Sequence, residues 1–245
     1  MKRSERQHLK ENPFADFIFS LREATIGHSR QATAAVIVVA VAAVTVAGFY
    51  YWRTRSAANA DAALAAAAAV ADTPVVPPAP AGTPGQSTPS AGTFPTEKAR
   101  LEAALAKFLD VANGYPSTGA ATAAFYEAAG ALSALGRLPE AEARYREVMR
   151  RDPRGIYGDM AQLGLADVYR GQAQWDKAIE IYQRLSTAAD TRIPADGVLL
   201  QLARTYAKAG KVEEATRTYT RIVEEFPQSL YAADAREALS ALKKS

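Results

Sequence analysis

Cysteine is absent from the 245 residues, which excludes a disulfide framework, a thiolate metal site and a cysteine nucleophile. The absence also leaves the chain indifferent to redox compartment, so export is permitted without being required. Histidine is nearly as scarce. Only His8 and His28 occur, both in the N-terminal tail, and no acid or cysteine is spaced to complete a metal site with either. No phosphate-cradling Gly loop of the Walker type is present. The paired acids Glu213-Glu214 and Glu224-Glu225 fall on helix faces that read as solvated. No residue is assigned to catalysis, a cofactor or a metal, and the chain reads as non-enzymatic.

Charge of one sign is also lacking over most of the length. The formal net charge is +3, and residues 1–55 carry eight Lys/Arg against four acids. Residues 96–245 hold 21 Lys/Arg against 20 acids. Without a clustered basic face there is no electrostatic footprint for nucleic acid, and none is expected as a partner.

What the chain does have begins with an uncharged run from Ala32 to Trp52, in which Val36, Ile37, Val38, Val39, Val41, Val44 and Val46 supply the apolar area. At about 1.5 Å rise per residue, roughly 20 such residues cross a hydrocarbon core of about 30 Å. Phe49, Tyr50, Tyr51 and Trp52, followed by Arg53 and Arg55, make an aromatic-then-basic border of the kind found at a membrane–water interface. A cleaved signal peptide has a shorter apolar core, nearer the N-terminus, and ends in small residues. An uncleaved anchor is therefore expected. Close to the run the charges tie, Arg22 and Arg30 against Arg53 and Arg55. Over the whole flanks Lys2, Arg3, Arg6 and Lys10 tip the balance to the tail. The positive-inside rule then places the N-terminus in the cytoplasm.

In the tail, residues 1–31, Asn12-Pro13 reads as a helix start. Phe14, Phe17, Ile18 and Leu21 follow as one apolar stripe, which suits a membrane surface or a membrane partner. Residues 53–95 read as an Ala-rich stalk and a Pro-rich linker. The stalk is expected to extend the membrane helix or to form a separate one, since alanine is the best helix former. Pro74, Pro77, Pro78, Pro80, Pro84, Pro89 and Pro95 then predict an extended, semi-rigid spacer that gives the following domain reach.

Residues 96–245 are helical in pattern and internally repeated. Gly136–Val148, Ala173–Leu185 and Gly210–Ile222 align so that Ala141, Ala178 and Ala215 stand 37 residues apart, as do Tyr145, Tyr182 and Tyr219. Periods of this size indicate a helical solenoid whose units bury a core only by stacking. The small residue lets paired helices approach and the aromatic fills the gap, so these Tyr and Ala residues are expected in the core. Gly136 and Gly210 suit the turn between paired helices, and Pro153 and Pro227 stop the second helix of their units. Ser229 to Leu242 reads as a terminal capping helix, and Glu97 to Ala112 as a cover for the other end. The fold class is all-α: a single transmembrane helix plus an α-solenoid of antiparallel helix pairs with a C-terminal capping helix.

The repeats resemble the tetratricopeptide (TPR) family over about Ala121 to Pro227. The third unit carries the resemblance at Leu202, Ala203, Tyr206, Gly210, Ala215, Tyr219, Ile222 and Pro227. The second does so at Leu165, Ala166, Tyr169, Ala178, Tyr182 and Leu185, with Ala173 where glycine is usual. The first matches at Phe125, Ala129, Gly136, Ala141, Tyr145, Val148 and Pro153. The wider arrangement, with KENPFADF before the membrane helix and ARTYAKAGKVEEA in the repeats, resembles the ancillary subunit family of the SecYEG translocon. That resemblance implies a bacterial inner-membrane protein, single-pass, with a periplasmic repeat domain and with translocon or periplasmic chaperone partners. The long Pro-rich stretch departs from that family.

The TPR resemblance also implies a concave groove lined by the first helix of each pair. Carried onto this sequence, the candidate peptide-binding residues are Tyr126, Met160, Leu163, Asp167, Arg170, Leu200 and Arg204. The positions that clamp a C-terminal carboxylate in some relatives hold Tyr126, Gly130, Gly164, Gly197 and Gln201, so an extended or helical peptide held by side-chain contacts is expected instead. Packing against neighbouring helices is the alternative use of these residues. Two functions remain open on the sequence: a membrane-anchored interaction scaffold or chaperone-like adaptor, and a structural organiser or assembly factor of a cell-envelope complex.

Overall fold

The computed structural model describes residues 30–77, 92–188 and 192–243. The tail helix expected from Asn12 to Leu21, with His8 and His28, lies outside them. The architecture among the described residues is all-helical: α1 (Arg30–Ala71), α2 (Glu97–Gly114), α3 (Gly119–Ala134), α4 (Leu138–Arg151), α5 (Ile156–Gly171), α6 (Trp175–Thr187), α7 (Ala195–Lys208), α8 (Val212–Glu225) and α9 (Ala232–Leu242). The chain divides into two compact units, Met1–Arg55 and Ser56–Ser245.

In the first unit, α1 carries the apolar run. It contains no proline and one glycine, and Val38 and Val44 stand 66% and 69% exposed, so no packing among the described residues accounts for this apolar surface. By length and composition the stretch Ala34–Ala71, with an 18-residue window of mean hydropathy 2.2, suffices to cross a bilayer. The Ala-rich stalk is part of the same helix, which ends where Thr73 Oγ1 donates to the Ala69 carbonyl at 2.9 Å and Pro74 follows.

The second unit starts inside that helix. Ala60 and Ala67 are fully buried in its core, with Ala63, Leu64, Val70 and Ala71 packed beside them, a stripe at i, i+3/i+4 and i+7 spacing. Asp61 and Leu64 lie by Pro116, Ser117 and the first turn of α3. Farther along, the Thr73 carbonyl accepts from Arg100 at the start of α2. Residues 56–71 therefore run antiparallel to α2 and parallel to α3, as the first helix of a pair does. The second helix of that pair is α2, because Ala104, Phe108, Val111 and Pro116 precede Ala141, Tyr145, Val148 and Pro153 by the same 37 residues. Ala104, Phe108 and Val111 are 1%, 3% and 4% exposed. The segment read as an end cover, Glu97 to Ala112, is thus half of a fourth unit.

The two described ends of the Pro-rich stretch meet. Val75 and Phe94 form a parallel bridge, in which Val76 N–H donates to the Phe94 carbonyl at 2.9 Å and Phe94 N–H to the Pro74 carbonyl at 3.1 Å. Both ends of the segment are pinned together beside the first helix pair. The other pairs close by a tight turn. In those pairs the turn residue takes the left-handed conformation, Gly136 at φ 73°, Ala173 at φ 57° and Gly210 at φ 75°. Each turn closes with the same pair of backbone hydrogen bonds; Arg137 N–H, Gln174 N–H and Lys211 N–H reach back to the carbonyls of Leu132, Tyr169 and Tyr206, each at 2.9 Å.

Side chains pin neighbouring units in the same register. Arg146 donates to the Tyr169 hydroxyl at 2.7 Å, and 37 residues on Gln183 donates to the Tyr206 hydroxyl at 2.6 Å. At the far end α9 buries Ala232 and Ala235 against the stack and leaves Asp234, Arg236 and Glu237 exposed. A polar outer face is what closes a solenoid to further stacking.

Candidate peptide groove

The concave face is built from α3, α5 and α7, the first helices of three stacked pairs. The 37-residue period lines up Ala123, Met160 and Gly197, then Tyr126, Leu163 and Leu200, then Gly130, Asp167 and Arg204. Tyr126, Met160, Leu163, Asp167 and Arg170 are all half-buried, with one side on the core and the other open. Thr118 starts the N-terminal wall by capping α3, its Oγ1 accepting from Ala121 N–H at 3.2 Å.

Tyr126 is the centre of an aromatic cluster. Its ring lies 5.9 Å from Tyr145 in an edge-on arrangement and 5.9 Å from Tyr157 in a tilted one, geometries in which the ring quadrupoles attract. Tyr145 reaches this position because Gly164 leaves room. A Cβ on Gly164 would stand 2.4 Å from Tyr145 Cζ. Beyond the cluster a cavity of about 620 Å³ is lined by Asp61, Leu64, Thr118, Ala123, Asp152 and Tyr157 among others. Arg151 also borders it, held by the Pro116 carbonyl at 2.7 Å, by Glu147, and over the Phe125 ring at 4.7 Å.

In the next unit, Asp167 Oδ1 accepts from the Tyr182 hydroxyl at 2.7 Å and from Arg170 at 2.8 Å. Tyr182 is fully buried, so a core residue fixes the orientation of a groove carboxylate. Burial first, then the Asp167 charge, pushes the Tyr182 phenol well above its ordinary range. Burial likewise pushes Tyr145 up to about 12 and raises Tyr126, with Glu127 and Asp167 adding to the latter. Burial and then Asp72 raise Glu127. Arg170 Nε and Gln201 Oε1 are buried without a hydrogen-bond partner among the described residues.

The third unit presents a different surface. Leu200 is 2% exposed and belongs to the core. Arg204 is held at 3.0 Å by Asp234 of α9, and a Cβ on Gly197 would stand 3.3 Å from the Tyr231 ring. The capping segment thus reaches Gly197 through Tyr231 and Arg204 through Asp234. Three residues that the sequence reading missed join the face at the other end: Tyr157, Asp61 and Leu64. Tyr157 had a signal, since it stands three and seven residues before Met160 and Gly164 on one face of α5. Asp61 and Leu64 had none, because nothing local marks the stalk as part of the solenoid.

Among known families, the one described as "Tetratricopeptide repeat-like domain" matches residues 28–192, and "Tetratricopeptide repeat" matches residues 198–229. No curated protein matches the chain. Similar solved structures include a tetratricopeptide repeat protein from Parabacteroides merdae at 17% identity, covering 60% of this chain and 56% of that one with a TM-score of 0.49. The chain thus spans little more than half the length of that protein. A putative kinesin light chain of Podosopora anserina, with nearly identical TPR-like repeats, is 18% identical, covers 60% and 88%, and scores 0.49.

Proposed function

The chain belongs to the tetratricopeptide repeat-like family, and from that premise we propose that it is a membrane-tethered scaffold that holds segments of other proteins in its concave face. The observation that carries this reading is the open row of half-buried Tyr126, Met160 and Leu163, with Asp167 and Arg170 beside it. Apolar side chains that stay half exposed along a preformed groove favour an extended or helical peptide.

In this proposal the apolar part of α1 crosses the bacterial inner membrane with the tail in the cytoplasm and the repeats in the periplasm. The partners are translocon components, periplasmic chaperones or polypeptides in transit. The balance of Lys/Arg supports the orientation, and the resemblance of tail and repeats to the ancillary translocon subunit supports the partners. Photo-crosslinkers placed at Tyr126 and Leu163 in intact membranes test it. Adducts with translocating chains or translocon subunits are expected, and adducts absent from these positions yet abundant on the outer helices α4 and α6 would refute the groove. Protease added to cells with a permeabilised outer membrane should cut the repeat domain. Protection until the inner membrane is lysed would refute the orientation.

A further inference from the structure

Resting on the groove reading above, we propose that the N-terminal end of the concave face selects a cationic side chain, lysine or arginine, from an extended partner peptide. The π faces are in place: Tyr126 and Tyr157 are half-buried, their centroids 5.9 Å apart, and a cation over such rings is attracted by their quadrupoles. An opening lies next to them. Gly130 is one turn beyond Tyr126, and a Cβ there would meet nothing within 4 Å.

Two carboxylates lie on the helices beside that opening. Glu127 adjoins Tyr126 on α3 and is exposed, and Asp167 occupies on α5 the place that Gly130 occupies on α3. Both bonds to Asp167 fall on Oδ1, and its side chain is 41% exposed. Asp72 lies within electrostatic reach of Glu127, and Asp61 borders the cavity.

The nearby guanidiniums are already engaged. Arg151 is bound to Glu147, the Pro116 carbonyl and the Phe125 ring, and Arg100 to Glu97 and the Thr73 carbonyl. Arg170 is spent on Asp167. Acidic neighbours are accordingly the charged groups that act on Tyr126, Tyr145 and Glu127. A peptide cation supplies the missing charge and an apolar stem that fits between the rings.

The test uses the full-length chain in mild detergent and fluorescence anisotropy with nonapeptides identical except for a central Lys, Gln or Glu between leucines. The Lys peptide is expected to bind about tenfold more tightly than the Gln peptide, and the Glu peptide more weakly than either. The preference should shrink with added salt. Glu127→Gln should cut the Lys-to-Gln ratio to about threefold. Tyr126→Leu should lower it as well. Equal affinity for the three peptides overturns the cation preference and leaves the groove standing. No binding of any peptide overturns both. Sedimentation showing a dimer that Glu127→Gln dissociates would assign the face to a second copy of the chain, and would likewise overturn the proposal.

Discussion

Ala173 is the one residue other than glycine at positive φ among the described residues, and replacing it with glycine should stabilise the second unit. An L side chain in the left-handed region costs roughly 1–2 kcal/mol through the clash of Cβ with the backbone. Glycine returns about 0.5–1 kcal/mol of that through its larger loss of chain entropy on folding. The methyl is exposed, so its removal costs little burial. The hydrogen bonds from Ala173 N–H to the Arg170 carbonyl at 3.1 Å and from Gln174 N–H to Tyr169 are untouched. The net expectation for Ala173→Gly is a gain of about 0.5–1 kcal/mol.

The flanking units supply the mirror experiment. Gly136→Ala and Gly210→Ala should lose about 1 kcal/mol each, and steric conflict with the rest of the protein cannot be the cause, since a Cβ at either position meets nothing within 4 Å. Because repeat arrays open locally, hydrogen exchange at the amides of Ala173 and Gln174 is the sharpest assay, with urea unfolding beside it. Slower exchange at this turn in the glycine variant is expected. A neutral or destabilised Ala173→Gly, or a harmless Gly210→Ala, would refute the conformational argument.

Gly164→Ala should destabilise by roughly 1–3 kcal/mol, because the new Cβ would press on Tyr145 Cζ; it should also change the Tyr126–Tyr145–Tyr157 fluorescence. Ala67→Glu should cost about 2–4 kcal/mol by burying a charge and should raise hydrogen exchange across α2; unchanged exchange there would show that the stalk is no part of the solenoid. Stability should fall at alkaline pH, for a signed reason. The Tyr145 phenol ionises near 10 when unfolded and at about 12 in the fold, so its contribution is whole below pH 10 and is lost as pH rises through 12. Tyr145→Phe should flatten that part of the pH profile in urea titrations.

The stacked pairs were legible because their signals are local and repeated. Ala141, Ala178 and Ala215 with Tyr145, Tyr182 and Tyr219 announce close helix pairs in any context, and all six are buried. The first pair was obscured for two physical reasons. Its first helix contributes a stripe made mostly of alanine, where buried and exposed positions look alike. Its turn is also a long Pro-rich stretch rather than a few residues, which breaks the period. Ala104, Phe108 and Val111 did keep the 37-residue step, so half of that unit was readable. Leu200 is buried in the core whereas its period-mates Tyr126 and Leu163 stay half-buried, a difference that the 37-residue register does not carry. The Tyr182 hydroxyl is core and groove at once, a duality that residue type alone does not express.

The pinned ends at Val75 and Phe94 uncouple the length of the Pro-rich stretch from everything around it. Residues can be added to or deleted from its interior without altering where α1 stops or where α2 starts. Each doubling of a flexible loop costs only about 0.6 kcal/mol in closure entropy, so a folded reporter inserted there should leave the stack of helices and its concave face intact. That makes the stretch the natural port of entry for a label.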